Sequence, residues 1–504
     1  MDRGLLLGLD VGTTRIKAVV IDAAGGERAA SVPTPFGRSA EGIDMGVADL
    51  RRALGDVLSA LGPERERVAA VGLAGMAESG APMRDGRALA PIIAWHDGRG
   101  KETVASLERR FGPALALWTG RRVRTVSSVA KLGWLVDHGV AEPDRWLGVP
   151  ELALFLLTGA EATEHSLAAR TGAYDVTERR FLPEVIAHVL AGTHGDGPGA
   201  GSRAGAAPEA AGSRAGAAPE AADEVAAVRG AESGDGRGAA LFPPVRAAGE
   251  AMGSVVGEAA AEYGLAEGIP VTIAGHDHLA AAAGLGARPD DLFNSVGTAE
   301  TLVRRLDARP DVARALELDL AVTLWPGGEA WAVLASATRS GLVIEALAAH
   351  LERGGSKAGE RMAAIEVPVG EVAALGRGIE LPLGEVVALG QGIEVAVGPA
   401  AEMWAATLEA LARRTAAAAE RVAALAGPHR RLVVFGGGSR NPAWLQAKAA
   451  VVGVPVLRSP VAEATARGAA LAAGVAAGWW PTPAAGPIPP LDARPAGLAP
   501  WRGQ

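Results

Sequence analysis

The residues best suited to chemistry gather in Ala274-Gly275-His276-Asp277-His278, between a short apolar run, Pro270 to Ala274, and an alanine-rich stretch of helical composition. A carboxylate at a strand end, flanked by glycine and two histidines, can be held rigidly and still be reached, as a general base must be. A second kind of chemistry is offered by three glycine-containing turns: Asp10-Val11-Gly12-Thr13-Thr14, Ser295-Val296-Gly297-Thr298-Ala299-Glu300 and Phe435-Gly436-Gly437-Gly438-Ser439-Arg440-Asn441. In a Gly-Thr turn the backbone N–H groups can converge on an anion because glycine adds no side chain, and the threonine hydroxyl is one more donor. Two such turns, one from each half of the chain, could clamp the β- and γ-phosphates of a nucleotide across a cleft. Taken singly, each is equally an ordinary turn.

The elements that must position these residues follow from the apolar pattern. Leu5 to Leu9 and Ile16 to Ile21 are β-prone runs joined by Asp10 to Arg15, a hairpin rather than a strand-to-helix loop. A Walker loop or a dinucleotide-binding turn opens a helix with GxxxxGK[ST] or GxGxxG, and neither pattern occurs here, so any nucleotide is held in another way. Val68 to Leu73 and Pro91 to Trp95 read as strands, and Ser127 to His138 and Glu151 to Leu157 as helices. Further strands are expected at Pro270 to Ala274, Leu292 to Val296, Trp331 to Ala335 and Leu432 to Phe435, with long helices between them. The mixture is an α/β architecture.

A chain of 504 residues, 49% of them hydrophobic, is long enough for two or more domains. It has no cysteine, which excludes disulfides, thiolate metal sites and thiol nucleophiles. A formal charge of -8 gives no broad basic surface for nucleic acid or acidic lipid. No apolar run approaches the roughly 18 residues of a membrane span, and the expected location is cytoplasmic.

Residues 1–191 are read as an N-terminal lobe, 241–485 as a C-terminal lobe and 486–504 as a proline-rich tail. Between them, 192–240 is a Gly/Ala-rich insertion containing a perfect duplication, GSRAGAAPEAA at 201–211 and again at 212–222. So exact a copy points to a segment without packing constraint, expected to be disordered. A second repeat, IEVPVGEVAALGRG at 365–378 and IELPLGEVVALGQG at 379–392, has too few copies for a solenoid, which needs about three.

Taken as a set, the motifs resemble the FGGY carbohydrate kinase family, the sugar and polyol kinases with a two-lobed, actin-like (ribonuclease-H-like) ATPase fold around a central cleft. The resemblance covers nearly the whole chain outside the insertion. GLDVGTT at 8–14 with Lys17 is similar to the family's first phosphate motif, PIIAWHDGR at 91–99 to its W-x-D-x-R segment, KLGWLVDH at 131–138 to one family signature, and EMWAATLE at 402–409, preceded by Gly392-Ile393, to the latter part of the other. GHDHLAAAAG at 275–284 is similar to the catalytic aspartate segment, Gly297-Thr298 to the second phosphate motif, GGGSRNPAWLQ at 436–446 to the adenosine motif and EATARGAALAAG at 463–474 to its closing helix. The resemblance implies ATP and Mg²⁺ as cofactors, Asp277 as general base and Asp10 as the residue holding the metal. It places Gly12, Thr13, Thr14, Lys17, Gly297, Thr298, Gly436, Gly437, Gly438 and Asn441 against the nucleotide. The chain lacks the family's second-lobe G-E-R-x-P element, and the insertion is not a family feature.

The same resemblance puts the acceptor near Met76-Ala77-Glu78-Ser79, where xylulokinase-like members carry Q-M-H-G and glycerol-kinase-like members Q-R-E-T. Glu78 would accept hydrogen bonds from vicinal hydroxyls and repel an acid, which favours a neutral polyol or ketose. Trp95, Asp97, Arg99, His276 and His278 could line the same pocket; Trp95 is also a natural core residue, and the histidines could equally orient the loop. The reading is phosphorylation of a small sugar or polyol, with a xylulose-like ketopentose as the nearest acceptor and a homodimer as one assembly such a chain could adopt. The rival readings are an actin-like ATPase working as chaperone, filament or sensor without a sugar acceptor, and a catalytically dead regulatory relative.

Overall fold

The computed structural model describes residues 3–140, 143–192, 241–297, 299–338, 340–341, 343–344, 347, 400–488 and 490. The expectations for the insertion, for the 365–392 repeat, for Thr298 and for most of the proline-rich tail lie outside the described residues.

β1 (Leu5–Val11) is apolar at nearly every position and buried along its whole length, as a strand covered on both faces must be. It pairs antiparallel with β2 (Arg15–Ile21), which pairs antiparallel with β3 (Glu27–Pro33). On its other side β1 runs parallel to β4 (Val68–Gly75). The edge beyond is formed by β5 (Gly253–Ser254) and β6 (Pro270–His276): β6 is parallel to β4, and β5 is antiparallel to β6. The second sheet repeats this plan. β7 (Asp291–Val296) and β8 (Glu300–Leu306) form a hairpin, β9 (Ala321–Leu324) and β10 (Trp331–Thr338) extend it through β8, and β11 (Arg431–Phe435) and β12 (Val456–Arg458) follow in parallel beside β7. Each sheet thus contains three antiparallel strands followed by two parallel ones, with a hairpin turn at the centre; the sixth strand is β5, beyond the parallel pair, in the first sheet and β9, beyond the antiparallel strands, in the second.

β6 overturns the expected division of the chain. Although it follows residue 241, it belongs to the first sheet, with Val271 opposite Val71 and Ile273 opposite Leu73. Parallel partners are joined by crossovers, so proximity in sequence says little about which sheet a strand enters. The C-terminal region returns to this sheet as well. Of the helices α1 (Asp277–Gly284), α2 (Ala400–Ala426), α3 (Pro442–Val451) and α4 (Ala464–Ala476), the last packs over β1, β4 and β6 and against α1, whereas α2 and α3 cover the second sheet. The approach of α4 is close enough that a Cβ on Gly8 would lie 1.8 Å from the Ala466 carbonyl oxygen, and one on Gly72 would lie 1.9 Å from that of Ala469. Only glycine fits under that helix.

Separate cores support the two sheets. Leu7, Leu9, Val71 and Ile273 anchor one, and Leu292, Leu302, Val434 and Trp444 the other. A further sheet runs through Arg145–Gly148, Gly80–Arg84, Ile92–Ile93, Ile43–Met45 and Gly37–Arg38, and frames the 76–99 segment. Of the strand expected at Pro91 to Trp95 only Ile92–Ile93 pairs; the helices at Ser128–Asp137 and Val149–Thr158 match their expected positions. Among the described residues no helix is long and apolar enough to cross a membrane.

Candidate active site at the ends of two matched hairpins

β1 and β2 pair through Asp10 opposite Lys17, and the turn between them closes when the Gly12 N–H donates to the Arg15 carbonyl at 3.2 Å. Thr34 braces its other side by donating to the Gly12 carbonyl at 2.7 Å. Asp10 is 6% exposed, and its Oδ1 is buried without a hydrogen-bond partner. Burial pushes its carboxyl up to about 7; Lys17 opposes the shift, and the charges of Asp277 and Glu463 add to it. Lys17, expected against phosphate, is in a 2.6 Å ion pair with Glu463 at the start of α4. Burial lowers the Lys17 pKa, but Asp10 and Glu463 outweigh it and raise the pKa overall, with Arg440 opposing them. Asp10, Lys17, Arg440, Glu463 and Asp277 therefore form one electrostatic neighbourhood, assembled from both ends of the chain.

Asp277 is the first residue of α1, where the helix N-terminus favours a carboxylate. Its Oδ1 accepts from the His278 N–H at 2.6 Å and lies 3.2 Å from His276 Nε2. The chain entering it is held from below. The His276 N–H donates to Ser166 Oγ at 2.9 Å, and Ser166 in turn donates from its hydroxyl and N–H to Glu164 Oε2 at 2.5 and 2.8 Å. Gly275 has φ 108°, and a Cβ there would lie 2.5 Å from Ser166 Oγ, so this support requires glycine. Glu164 is fully buried; burial pushes its carboxyl up to about 7 against the bonds it accepts. Its Oε1 accepts from the Gly327 N–H in the β9–β10 loop at 3.3 Å, so the brace under Asp277 also touches the second sheet.

The second hairpin turn closes like the first, by the Gly297 N–H donating to the Ala299 carbonyl at 3.1 Å. His278 Nδ1 and Ser295 Oγ, 3.0 Å apart, join the start of α1 to the end of β7. The Gly436–Gly438 turn abuts the same hairpin: Gly436 has φ 91°, and a Cβ there would lie 2.7 Å from the Val296 carbonyl, while one on Gly438 would meet the Val296 side chain at 2.4 Å. Gly437 has open space beside it. The side chain of Asn441 caps α3, accepting from the Trp444 N–H at 3.2 Å.

On the other side of the first turn, Glu78 corrects the sequence reading. It is buried in an αL conformation (φ 66°), paired with Arg121 at 2.9 Å and with Arg170 at 2.5 Å. One carboxylate facing two guanidiniums does not repel an acid, so the preference inferred for a neutral acceptor loses its basis. Burial and Arg170 together push the Arg121 guanidinium down to about 10. Burial first, and then His278, Arg170 and Arg121, hold His276 well below the usual imidazole range, which keeps it neutral beside Asp277. Met76 is 2% exposed and part of the core. Arg99 holds Asp97 at 2.8 Å and Asp44 at 2.5 Å; although burial works against it, the Arg99 guanidinium and the N–H groups of Arg99 and Ile43 keep Asp97 below the usual carboxylate range. Trp95 is half-buried, and its indole N–H donates to Thr13 Oγ1 at 2.8 Å.

Residues 5–191 match the model of the FGGY family of carbohydrate kinases, N-terminal domain, and residues 385–477 match that of its C-terminal domain. The chain belongs to the FGGY family. L-fuculokinases of Escherichia coli K12 and Salmonella typhi are each 25% identical to it, over 66% and 60% of this chain. These alignments span 64% and 57% of the fuculokinases' own lengths, less than two thirds. A xylulose kinase of Streptomyces coelicolor is 30% identical over 37% of this chain and 40% of its own. The structure of a xylulose kinase from Rhodospirillum rubrum superposes with a TM-score of 0.68 at 23% identity, covering 94% of this chain and 90% of that one. That of Plasmodium falciparum glycerol kinase with ADP superposes at 0.69 and 15%, covering 94% and 90%. The fold is the two-lobed actin-like ATPase fold of FGGY kinases.

Within this FGGY fold the structure brings together Asp10, Thr13, Lys17, Trp95, His276, Asp277 and His278, and sets Gly297 and the Gly436–Gly438 turn beside one another. Arg121, Arg170, Glu164 and Ser166 were not singled out from sequence. Their partners lie far along the chain, and no motif carries them. Lys131 stood in a quoted signature; its Nζ donates to the Asp97 carbonyl.

Proposed function

We propose that this chain is an ATP-dependent kinase that phosphorylates a hydroxyl of a small sugar or polyol, with Asp277 as the general base. The observation that carries the proposal is the pair of carboxylates at the end of one sheet, Asp10 and Asp277, coupled electrostatically and lying beside the hairpin turns. In the reaction the acceptor oxygen forms a bond to the γ-phosphorus, the bond from that phosphorus to the β–γ bridging oxygen breaks, and ADP leaves. The acceptor's proton passes to the Asp277 carboxylate. Because such transition states are loose, the hydroxyl becomes acidic late, and a positioned carboxylate suffices as base. His278 and the N-terminus of α1 hold Asp277, and neutral His276 adds no competing positive charge.

The buried, unpartnered Oδ1 of Asp10 suits a hard cation, and Asp10 is the residue that would hold Mg²⁺. When bound, the ion neutralises phosphate charge. Thr13, Thr14 and Thr298 would donate to phosphate oxygens, and the Gly436–Gly438 turn would flank the adenosine. A xylulose-like ketopentose is the first acceptor to test, supported by the likeness to the Streptomyces xylulose kinase and no longer by the charge of Glu78.

A coupled ADP-release screen across pentuloses, hexuloses, alditols, glycerol and aldonates tests this reading. Turnover that depends on an acceptor fits a kinase. ATP hydrolysis indifferent to every acceptor fits an actin-like ATPase and sinks the proposal.

A further inference from the structure

The bond from Trp95 to Thr13 spans 82 positions of sequence and joins two sheets. Trp95 follows the Ile92–Ile93 strand of the frame sheet, while Thr13 sits in the turn of the first. The direction of the bond is unambiguous, because an indole N–H can only donate. Thr13 Oγ1 must therefore be the acceptor, and its own proton is left for another partner. The rest of Trp95 faces the 76–79 segment: its backbone N–H donates to Ser79 Oγ at 2.8 Å, and Ser79 is fully buried. Its ring meets His96 edge-on, with centroids 5.2 Å apart. Next to Ser79 is Glu78 with its two arginines, whose field reaches His276 beside Asp277. The indole thus runs from the acceptor side of the site to the first phosphate turn.

We propose that Trp95 is a positioning residue that links acceptor seating to the phosphate turn: its N–H sets the Thr13 rotor so that the threonine proton points to the transferring phosphate. This rests on the kinase reading above. An acceptor packed against the indole restricts the ring, the ring fixes the N–H, and the N–H fixes Thr13. A side chain that were only a wall of the pocket would change acceptor affinity and leave the turn alone.

The test is a double-mutant cycle on the full chain, with ADP release measured at saturating acceptor and ATP. Trp95→Phe keeps a ring and removes the N–H; Thr13→Val keeps the shape and removes the hydroxyl. Each is expected to lower kcat by about tenfold while the acceptor KM moves less than about threefold, and the double variant is expected to be no worse than the worse single one. Thr13→Ser, which restores the hydroxyl, should retain kcat within about threefold, showing that a loss in Thr13→Val is not misfolding. Multiplicative losses in the double variant, or a Trp95→Phe effect confined to acceptor KM, overturn the link in an enzyme that remains a kinase. Absence of acceptor-dependent ADP release from the unsubstituted protein overturns the kinase reading and the link with it.

Discussion

The two hairpin turns are built alike and furnished differently. Asp10-Val11-Gly12-Thr13 ends β1 and Ser295-Val296-Gly297 ends β7, each at a strand where antiparallel pairing on one side meets parallel pairing on the other, and both are closed by the glycine N–H. Where the first has a buried carboxylate opposite a lysine, the second has a serine joined to His278. The sheet supplies the turn, and the residue before it decides the chemistry. Charge on one side and neutral donors on the other would let a single phosphate chain be held by a cation near Asp10 and by hydrogen bonds near Gly297. The second turn also has a carboxylate beside it, Glu300 opposite Val296, but it is engaged in the interior by Lys448 and Thr415.

Among changes that probe the two turns, breaking that asymmetry has the largest expected effect. Asp10→Asn should lower kcat by about 10²-fold or more in an ADP-release assay, whereas Ser295→Ala should cost only a few-fold; equal losses would mean the two turns are interchangeable. The pH dependence carries the same signature. The folded pKa of Asp10 is raised to about 7 from an unfolded value near 3.8. Its protonated form therefore favours the fold fully below about pH 4, and that contribution is lost as pH rises through about 7. Without ligand, thermal stability should decline over this window, with Glu164 adding to the slope in the same direction. Stabilisation by Mg²⁺-ATP should be greater at pH 8 than at pH 5.5, because a cation needs the ionised carboxylate. Asp10→Asn should reduce the first trend to the share that Glu164 contributes and flatten the second, and no Ser295 variant should.

Next in size is the brace beneath Asp277. Ser166→Ala should lower kcat by about tenfold with little change in acceptor KM, since under the proposed role of Asp277 it loosens the chain that enters that carboxylate. Smaller again is the packing under α4: Gly8→Ala should destabilise by at least about 1–3 kcal/mol in urea unfolding, because the added methyl meets backbone that cannot yield. The matching surface of the second sheet has no such glycine in β7, so Leu292→Val there should cost only about 1 kcal/mol.

How much of this was legible in the sequence depended on distance along the chain. The first hairpin could be read because two β-prone runs flank a small-residue turn within some twenty residues, and β6 and α1 because an apolar run meets an alanine-rich one at Asp277. The sheet that β6 joins could not be read, since Val271 pairs with Val71 across a long crossover. Glu78 was visible as a carboxylate and invisible as an ion pair, because Arg121 is 43 positions away and Arg170 is further still. Glu164 and Ser166 look like loop residues until the fold sets them under His276. Local pattern revealed which groups exist, and tertiary contact revealed which of them are already engaged.

In the proposed reaction Asp277 takes the acceptor's proton. This step is tested most directly with Asp277→Asn, measuring acceptor-dependent ADP release and Mg²⁺-ATP affinity on the same preparation. The expected result is a kcat lower by about 10²–10⁴-fold, with nucleotide affinity kept within a few-fold. An Asp277→Asn enzyme that still phosphorylates its acceptor at near the unsubstituted rate would contradict it.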